Sequence, residues 1–139
     1  MAVIREGIAI NTDGSISFGN YEAKEKIKVN DFEHQGALYS LRTHKDVTRL
    51  EKNNDLLFEA VPGAAVHNFQ LDEKSCEFEI EGAGSCQVTI CLEPQAEYML
   101  TIAEESPISL QTNKASGKIN CGMTLSGKPQ RLIIKKDNG

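Results

Sequence analysis

Seven residues near the C-terminus have the spacing of a phosphate-binding loop. In such a loop glycine amides surround a phosphate and a lysine reaches its outer oxygens; Gly122, Gly127 and Lys128 occupy these positions. A Ser or Thr that holds magnesium should follow, and then a helix whose N-terminus meets the phosphate. Instead Pro129 follows, and PQRLIIKK alternates like a strand. The segment therefore predicts a hairpin turn at residues 126–129 rather than a nucleotide site.

Acid–base or metal chemistry would require titratable groups that meet in one pocket. The histidines, His34, His44 and His67, are far apart in the chain, and each has polar neighbours. The four cysteines include no C-x-x-C pair of the kind that zinc and redox sites use. We therefore expect surface or turn histidines, no catalytic residues, no metal and no cofactor, with a cluster made by long-range contacts as the open alternative.

Side-chain parity assigns the cysteines to faces of predicted strands. Residues two apart on a strand share a face, so Cys76 lies with Phe78, and Cys86 and Cys121 also share faces with apolar residues. These three cysteines are predicted core residues in a reducing compartment. Cys91 points to the other face, and we expect its thiol to be reactive if that face is open.

Two sets of like charges recur at every second residue. The basic set is Lys24, Lys26 and Lys28, and the acidic set is Glu77, Glu79 and Glu81. Each set would line one face of a strand. They are either two solvated faces or complementary surfaces, within one subunit or between copies, that guide self-association.

Aromatic residues that could stack on a sugar are few. The chain has no Trp and three Tyr. Tyr98 shares parity with Leu100 and Ile102, which favours a place in the core. Tyr21 and Tyr39 remain the candidate ligand contacts.

The elements that must position these side chains are strands. From Cys76 to Ile134 six short segments alternate apolar and polar residues, and each is closed by a turn signal. This period is typical of half-buried antiparallel strands. Gly82-Ala83-Gly84, which lacks the third glycine of a dinucleotide fingerprint, is predicted to be a turn between two of them.

The N-terminal half shows the same pattern. Thr12-Asp13-Gly14-Ser15 is a strong hairpin signal, and His34-Gln35-Gly36 and Lys52-Asn53-Asn54-Asp55 resemble turns. Helix competes with strand only over residues 46–57, where Asn-Asn-Asp favours strand. We predict an all-β protein of about ten to twelve strands, an antiparallel β-sandwich that is immunoglobulin-like or jelly-roll-like, with N-terminal β-hairpins.

Val61-Pro62-Gly63 is the strongest internal boundary, because Pro followed by Gly interrupts regular structure. It divides the chain into an N-terminal β-hairpin region, 1–62, and a C-terminal β-sandwich, 63–139. No flexible linker separates the two, so we expect them to pack together as one compact unit.

Composition limits the function classes. A chain of 139 residues with 40% hydrophobic content fits one domain, and a net charge of -5 disfavours nucleic acid as a partner. The N-terminus lacks the pattern of a signal peptide, and no apolar run reaches the roughly 18 residues that span a bilayer. We expect a soluble cytoplasmic protein with no membrane partner, unless it is exported by another route or belongs to a phage particle.

Four stretches carry a family resemblance that covers nearly the whole chain. They are DFEHQGALYSLRTHKDVTRLEKN, FEAVPGAAVHNF, LEPQAEYMLTI and LQTNKASGKI. In these stretches the chain resembles small, uncharacterised bacterial all-β proteins that are often labelled endosialidase automatically. True endosialidases are far larger, so the resemblance implies at most an accessory or stalk-like module.

Three functions follow as hypotheses. The first is a non-enzymatic structural or protein-interaction module, whose partner is another protein or itself as a homo-oligomer that protects its edge strands. The second is a glycan or small-ligand binding module with a pocket at Tyr39 or Tyr21. The third is a glycosidase-related protein, which needs two carboxylates in a cleft.

Overall fold

The structure, a computed structural model, describes residue 4 and residues 6–72, 74–92, 97–102, 108–111, 118–126 and 129–136. Within these residues the chain forms thirteen β-strands and no helix. The strands are β1 (Ile8–Ile10), β2 (Ile16–Phe18), β3 (Ile27–His34), β4 (Ala37–His44), β5 (Val47–Lys52), β6 (Asp55–Val61), β7 (Ala65–Leu71), β8 (Ser75–Glu81), β9 (Ala83–Cys91), β10 (Glu97–Ile102), β11 (Ile108–Gln111), β12 (Lys118–Ser126) and β13 (Gln130–Lys136).

The strands form two antiparallel sheets. The seven-stranded sheet has the order β1-β2-β7-β8-β13-β10-β11, and the six-stranded sheet has the order β12-β9-β6-β5-β4-β3. Apolar side chains from both sheets form one buried cluster between them. This arrangement confirms the predicted all-β sandwich, and β1–β2 and β3–β4 are N-terminal hairpins.

Three predicted turns connect neighbouring strands where residues can adopt left-handed backbone conformations. Gly14 has φ 89° in the β1–β2 connection. Gln35 and Gly36 have φ values of 51° and 80°, and Asn53 and Asn54 have φ values of 51° and 70°. Positive φ at both central residues is the type I′ geometry that two-residue hairpins favour. Residues 47–52 and 55–61 are strands, which confirms strand over helix.

The two predicted C-terminal turns are wrong. Ala83 and Gly84 belong to β9, which pairs with β12 and β6, whereas β8 pairs with β7 and β13. The chain therefore crosses at Gly82 from one sheet to the other. It crosses again between Ser126 and Gln130, since β12 and β13 lie in different sheets. Gly127 and Lys128 lie outside the described residues, and a strand follows them where a phosphate loop needs a helix.

Strands on both sides of residue 62 contribute to each sheet. β2 pairs with β7 in the seven-stranded sheet, and β6 pairs with β9 in the six-stranded sheet. The division into 1–62 and 63–139 stays a prediction, and the pairing shows how closely the two ranges are connected.

The centre of the sandwich is aromatic. Phe58 of the six-stranded sheet packs edge-to-face on Phe18 and Phe78 of the opposite sheet, with ring centroids 5.3 Å and 5.6 Å apart. Phe69 packs on the same cluster. Such pairs contribute about 0.5–1.5 kcal/mol each beyond the area they bury. Tyr98 is also buried, as its parity predicts.

The cysteines follow their predicted faces. Cys76 and Cys86 are buried, and Cys121 is partly buried against the core. Burial, followed by the charges of Glu77 and Asp72, raises the pKa of the Cys76 thiol to about 12.

A buried hydroxyl network links the six-stranded sheet to the residues that flank β2 and β7. Thr48 Oγ1 donates to the carbonyl of Ala64 (2.9 Å) and accepts from its amide (3.1 Å). Thr43 Oγ1 lies 2.8 Å from Thr48 Oγ1 and accepts from the Asn20 amide at 2.9 Å. Because the Thr48 hydroxyl donates its only proton to the Ala64 carbonyl, the Thr43 hydroxyl must be the donor in the hydrogen bond between the two threonines.

A β-bulge decides which side chains of β3 face the core. The β3–β4 register shifts between Val29 and Phe32, and Asp31 has φ 55°. The extra residue allows Val29 and Phe32, three apart, both to pack against the core. As a result Lys28 is placed on the outer face.

Candidate functional site

A hollow with a volume of about 560 Å³ lies on the outer face of β3–β6. We call it the basic hollow. The side chains of its floor alternate along the strands with buried core residues, so they point away from the core. Its lining consists of Lys26, Lys28, Asn30, Ser40, Leu41, Arg42, Val47, Arg49, Glu51, Asn54 and Glu59.

Three cations stand in one row across neighbouring strands of this hollow. Lys28 of β3 pairs in register with Arg42 of β4, and Arg42 pairs with Arg49 of β5. Glu59 of β6 ends the row opposite Arg49. Directly opposed side chains have their Cβ atoms about 4.5–5.5 Å apart, and like charges there are destabilising. The row therefore concentrates positive charge on a chain whose net charge is -5.

Two glutamates hold Arg49 in place. Arg49 donates from Nη1 to Glu59 Oε2 at 2.9 Å and from Nε to Glu51 Oε2 at 3.3 Å. Burial alone would lower the pKa of the guanidinium, but the hydrogen bonds to Glu59 and Glu51 outweigh it and raise the pKa. Arg49 is thus an oriented, permanently charged group in the floor of the hollow.

The other cations of the hollow are not neutralised by the described residues. None of the ion pairs found in that part of the chain includes Lys26, Lys28 or Arg42. Lys28 and Arg42 are exposed on the strands, and Lys26 is exposed just before β3. With four cations and two carboxylates, the lining carries a net positive charge.

The structure separates the two predicted charge sets. The lysine set spans the start of β3, since the strand begins at Ile27; Lys24 is exposed but does not line the basic hollow. The glutamate set lies on β8 in the other sheet. Glu77 accepts from Arg131 at 3.4 Å, and Glu79 accepts from Asn68 at 3.4 Å.

Placing Glu81 on an exposed face was wrong, and so was placing His67 at the surface or in a turn. Glu81 is 1% exposed and His67 is 6% exposed, with His67 Nε2 2.7 Å from Glu81 Oε1. A buried carboxylate is costly unless it is paired, and the imidazole supplies that pair. Tyr21 lies nearby: burial, followed by the charges of Glu81 and Glu22, raises the pKa of its phenol.

A second cavity, of about 200 Å³, lies at one end of the sandwich, where the β1–β2 connection meets the β3–β4 turn. We call it the end cavity. Tyr39 lines it, as do Asp13, His34 and Lys52. His34 Nε2 donates to the Gly14 carbonyl at 2.8 Å, which ties the two hairpins together. This is the kind of pocket that the ligand-binding hypothesis predicts for Tyr39.

Cys91 lines a neighbouring cavity of about 330 Å³ that also contacts Tyr98 and shares Lys52 with the end cavity. The thiol is half-buried, so the outer face there is partly open. Whether Cys91 is the reactive cysteine stays a prediction.

The described residues contain no group of three or more His, Cys, Asp or Glu side chains arranged to hold a metal ion. The same part of the chain has no helix long and apolar enough to cross a membrane.

Sequence reasoning missed the four other charged residues of the basic hollow: Arg42, Arg49, Glu51 and Glu59. A usable signal was present for two of them. The two-residue turn at Lys45-Asp46 fixes the β4–β5 register and places Arg42 opposite Arg49. Lys28 could not be placed this way, because the bulge in β3 changes its partner and its face.

Comparisons of the chain with protein-family models, curated proteins and solved structures found no match. The resemblance to endosialidase-labelled proteins therefore stays a prediction, and a functional proposal must rest on the residues themselves.

Proposed function

We propose that this protein is a non-enzymatic binding module whose basic hollow holds an acidic saccharide. The cross-strand row of Lys28, Arg42 and Arg49 is the observation that carries the proposal. Lys28 and Arg42 are adjacent like charges without an ionic partner among the described residues, and such a pair costs stability in the free protein. A carboxylate or sulfate bound over the row offsets this repulsion, and guanidinium groups suit such anions because they can donate two parallel hydrogen bonds.

The rest of the lining favours a hydroxyl-rich ligand over an acidic peptide. Asn30, Ser40 and Asn54 supply amide and hydroxyl groups, which can hydrogen-bond to sugar hydroxyls. The described lining has no aromatic ring, so it offers neither a stacking surface for a sugar nor an aromatic anchor for a peptide, and the preference for a saccharide comes from these polar side chains. The volume of about 560 Å³ lies within the range of pockets for small molecules.

The position of Arg49 argues for binding without hydrolysis. A glycosidase needs two carboxylates with a sugar bond, or an attacking water, between them. Glu51 and Glu59 both lie in the hollow, but Arg49 bonds to both and so occupies the space between them. We therefore favour the binding module over the glycosidase-related alternative.

Self-association through the same lysines remains the competing hypothesis. It needs an exposed acidic face on a second copy. The glutamate set supplies less than predicted, since Glu81 is buried and Glu77 is paired with Arg131. For this reason we place saccharide binding ahead of the homo-oligomeric or protein-interaction role.

The decisive experiment measures ligand affinity and stability in the same variants. Sulfated and carboxylated oligosaccharides, with their neutral counterparts, are titrated calorimetrically into wild type, Arg42→Gln and Lys28→Gln. Losing a hydrogen bond to a charged group costs about 1.5–3 kcal/mol, so we expect Kd to rise tenfold or more. Arg42→Gln should also stabilise the free protein, by about 0.2–1 kcal/mol, because it removes the middle charge of the row.

Lys135→Gln is the matched control, since Lys135 is exposed on the other sheet; it should leave affinity unchanged. Equal binding of acidic and neutral saccharides would contradict the proposal. So would an Arg42→Gln variant that binds as tightly as wild type.

A further inference from the structure

The end cavity contains a buried phenol whose hydrogen-bonding capacity is unused. Tyr39 is 8% exposed, and its hydroxyl makes no hydrogen bond to any described residue. Every fully buried side-chain nitrogen or oxygen of the described chain has a partner. The Tyr39 hydroxyl is therefore not fully buried, and Tyr39 is one of the residues that line the cavity. Burial raises the pKa of this phenol, so it remains protonated and able to donate at neutral pH.

The same cavity presents one charge of each sign from opposite sheets. Asp13 lies in the β1–β2 connection of the seven-stranded sheet, and Lys52 ends β5 of the six-stranded sheet. No ion pair joins them, and within the described chain Lys52 has no other ionic partner. A cation and an anion that share a cavity without meeting leave room for a ligand to bridge them.

Asp13 is held in a defined orientation with one oxygen available. Its Oδ1 accepts from the amide and the hydroxyl of Ser15, whereas Oδ2 accepts only a long bond of 3.4 Å from Gln70. The hydrogen bond from the Ser15 hydroxyl, followed by that from its amide, lowers the pKa of the carboxyl group. The group is therefore ionised at neutral pH.

We infer that the end cavity is a binding site for a small zwitterion of the α-amino acid class. The ligand carboxylate lies toward Lys52 and the Tyr39 hydroxyl, and its ammonium group lies toward Asp13 Oδ2. The volume of about 200 Å³ is below the roughly 300–1,000 Å³ of pockets for drug-sized molecules, which limits the ligand to few heavy atoms. This site is separate from the basic hollow, and its lining shares no residue with it.

The test uses the common L-amino acids, each at millimolar concentration, as probes in calorimetric titrations of the full chain. At least one should bind, and the tightest binder is then compared with its N-acetyl and its amide derivative. Each derivative removes one ligand charge, and each should bind at least about tenfold more weakly, because charged hydrogen bonds are the strong ones.

Three variants alter one partner each. Lys52→Met and Asp13→Asn should weaken binding about tenfold or more, and Asn keeps the acceptor that Ser15 needs. Tyr39→Phe removes only the hydroxyl and should weaken binding roughly three- to tenfold. Lys28→Gln, a change in the basic hollow, should have no effect on amino acid binding. That control separates failure of this site from failure of the saccharide proposal.

Two results would overturn the inference. One is the absence of heat and of chemical-shift change at Tyr39 and Lys52 for every amino acid tested. The other is binding that survives both Lys52→Met and Asp13→Asn in proteins whose circular dichroism spectra match wild type.

Discussion

Replacing Thr48 of the buried hydroxyl network by valine should destabilise the protein much more than replacing Thr43 by valine. Thr43 and Thr48 are directly paired across β4 and β5, and both are 0% exposed. Thr→Val nearly preserves side-chain shape while removing the hydroxyl, so the difference between the two variants reports on hydrogen bonding. The two sites differ in the groups that each hydroxyl satisfies.

Thr48→Val leaves three groups without partners. These are the amide and the carbonyl of Ala64 and the proton of the Thr43 hydroxyl, whose oxygen still accepts from the Asn20 amide. Thr43→Val leaves only the Asn20 amide without its partner, since Thr48 keeps both of its bonds to Ala64. A buried unsatisfied group costs about 1–3 kcal/mol. With partial relaxation, we expect destabilisation of about 3–5 kcal/mol for Thr48→Val and about 1–2 kcal/mol for Thr43→Val.

Urea unfolding followed by far-ultraviolet circular dichroism measures both free energies. With an m value of about 1–3 kcal/mol/M, the two midpoints should be clearly separated. The double variant should cost less than the sum of the single changes, because both remove the same Thr43–Thr48 bond. Equal costs for the two single variants, or a larger cost for Thr43→Val, would refute the proton assignment.

Three further outcomes are expected. Gly19→Ala should lower the melting temperature more than Gly36→Ala. Both glycines have positive φ, but a Cβ on Gly19 would meet the Ala64 carbonyl, whereas a Cβ on Gly36 would meet nothing within 4 Å. Equal losses of melting temperature would contradict this reasoning. Hydrogen bonds from the amides of Lys74 and Ser75 lower the pKa of Asp72 below 3.8. The ionised carboxylate therefore stabilises the folded protein above that pH, and this contribution is lost as pH falls. In acid titrations the Asp72→Asn variant should lose less stability than wild type. If the predicted lysine and glutamate faces guide association between copies, light scattering should show oligomers at low salt that dissociate at high salt, whereas a monomer under both conditions would exclude that association.

Local signals succeeded where one short segment decides the outcome. Asp13-Gly14, Gln35-Gly36 and Asn53-Asn54 tolerate the backbone that a tight connection requires, so their turns were predictable. Cys76 and Tyr98 were assigned to the core from parity alone, because alternation along a strand is a local property.

The same signals failed at chain crossings. Gly82–Gly84 and residues 126–129 have the composition of hairpin turns, yet each connects strands in different sheets. Glycine and proline allow the chain to change direction, but they do not specify whether it returns beside the strand it left. Pairing decides that: β9 pairs with β6 and β12, and β13 pairs with β8 and β10, and these partners are distant in sequence.

By itself, then, the sequence determined the all-β class, the N-terminal hairpins and the face of most strand residues, since each depends on spacings of a few residues. The tertiary structure alone decided that Lys28 joins Arg42 and Arg49 in one row, because a bulge at Asp31 resets the face of β3. It alone buried Glu81 against His67. Both outcomes depend on register and pairing between strands, which local alternation does not encode.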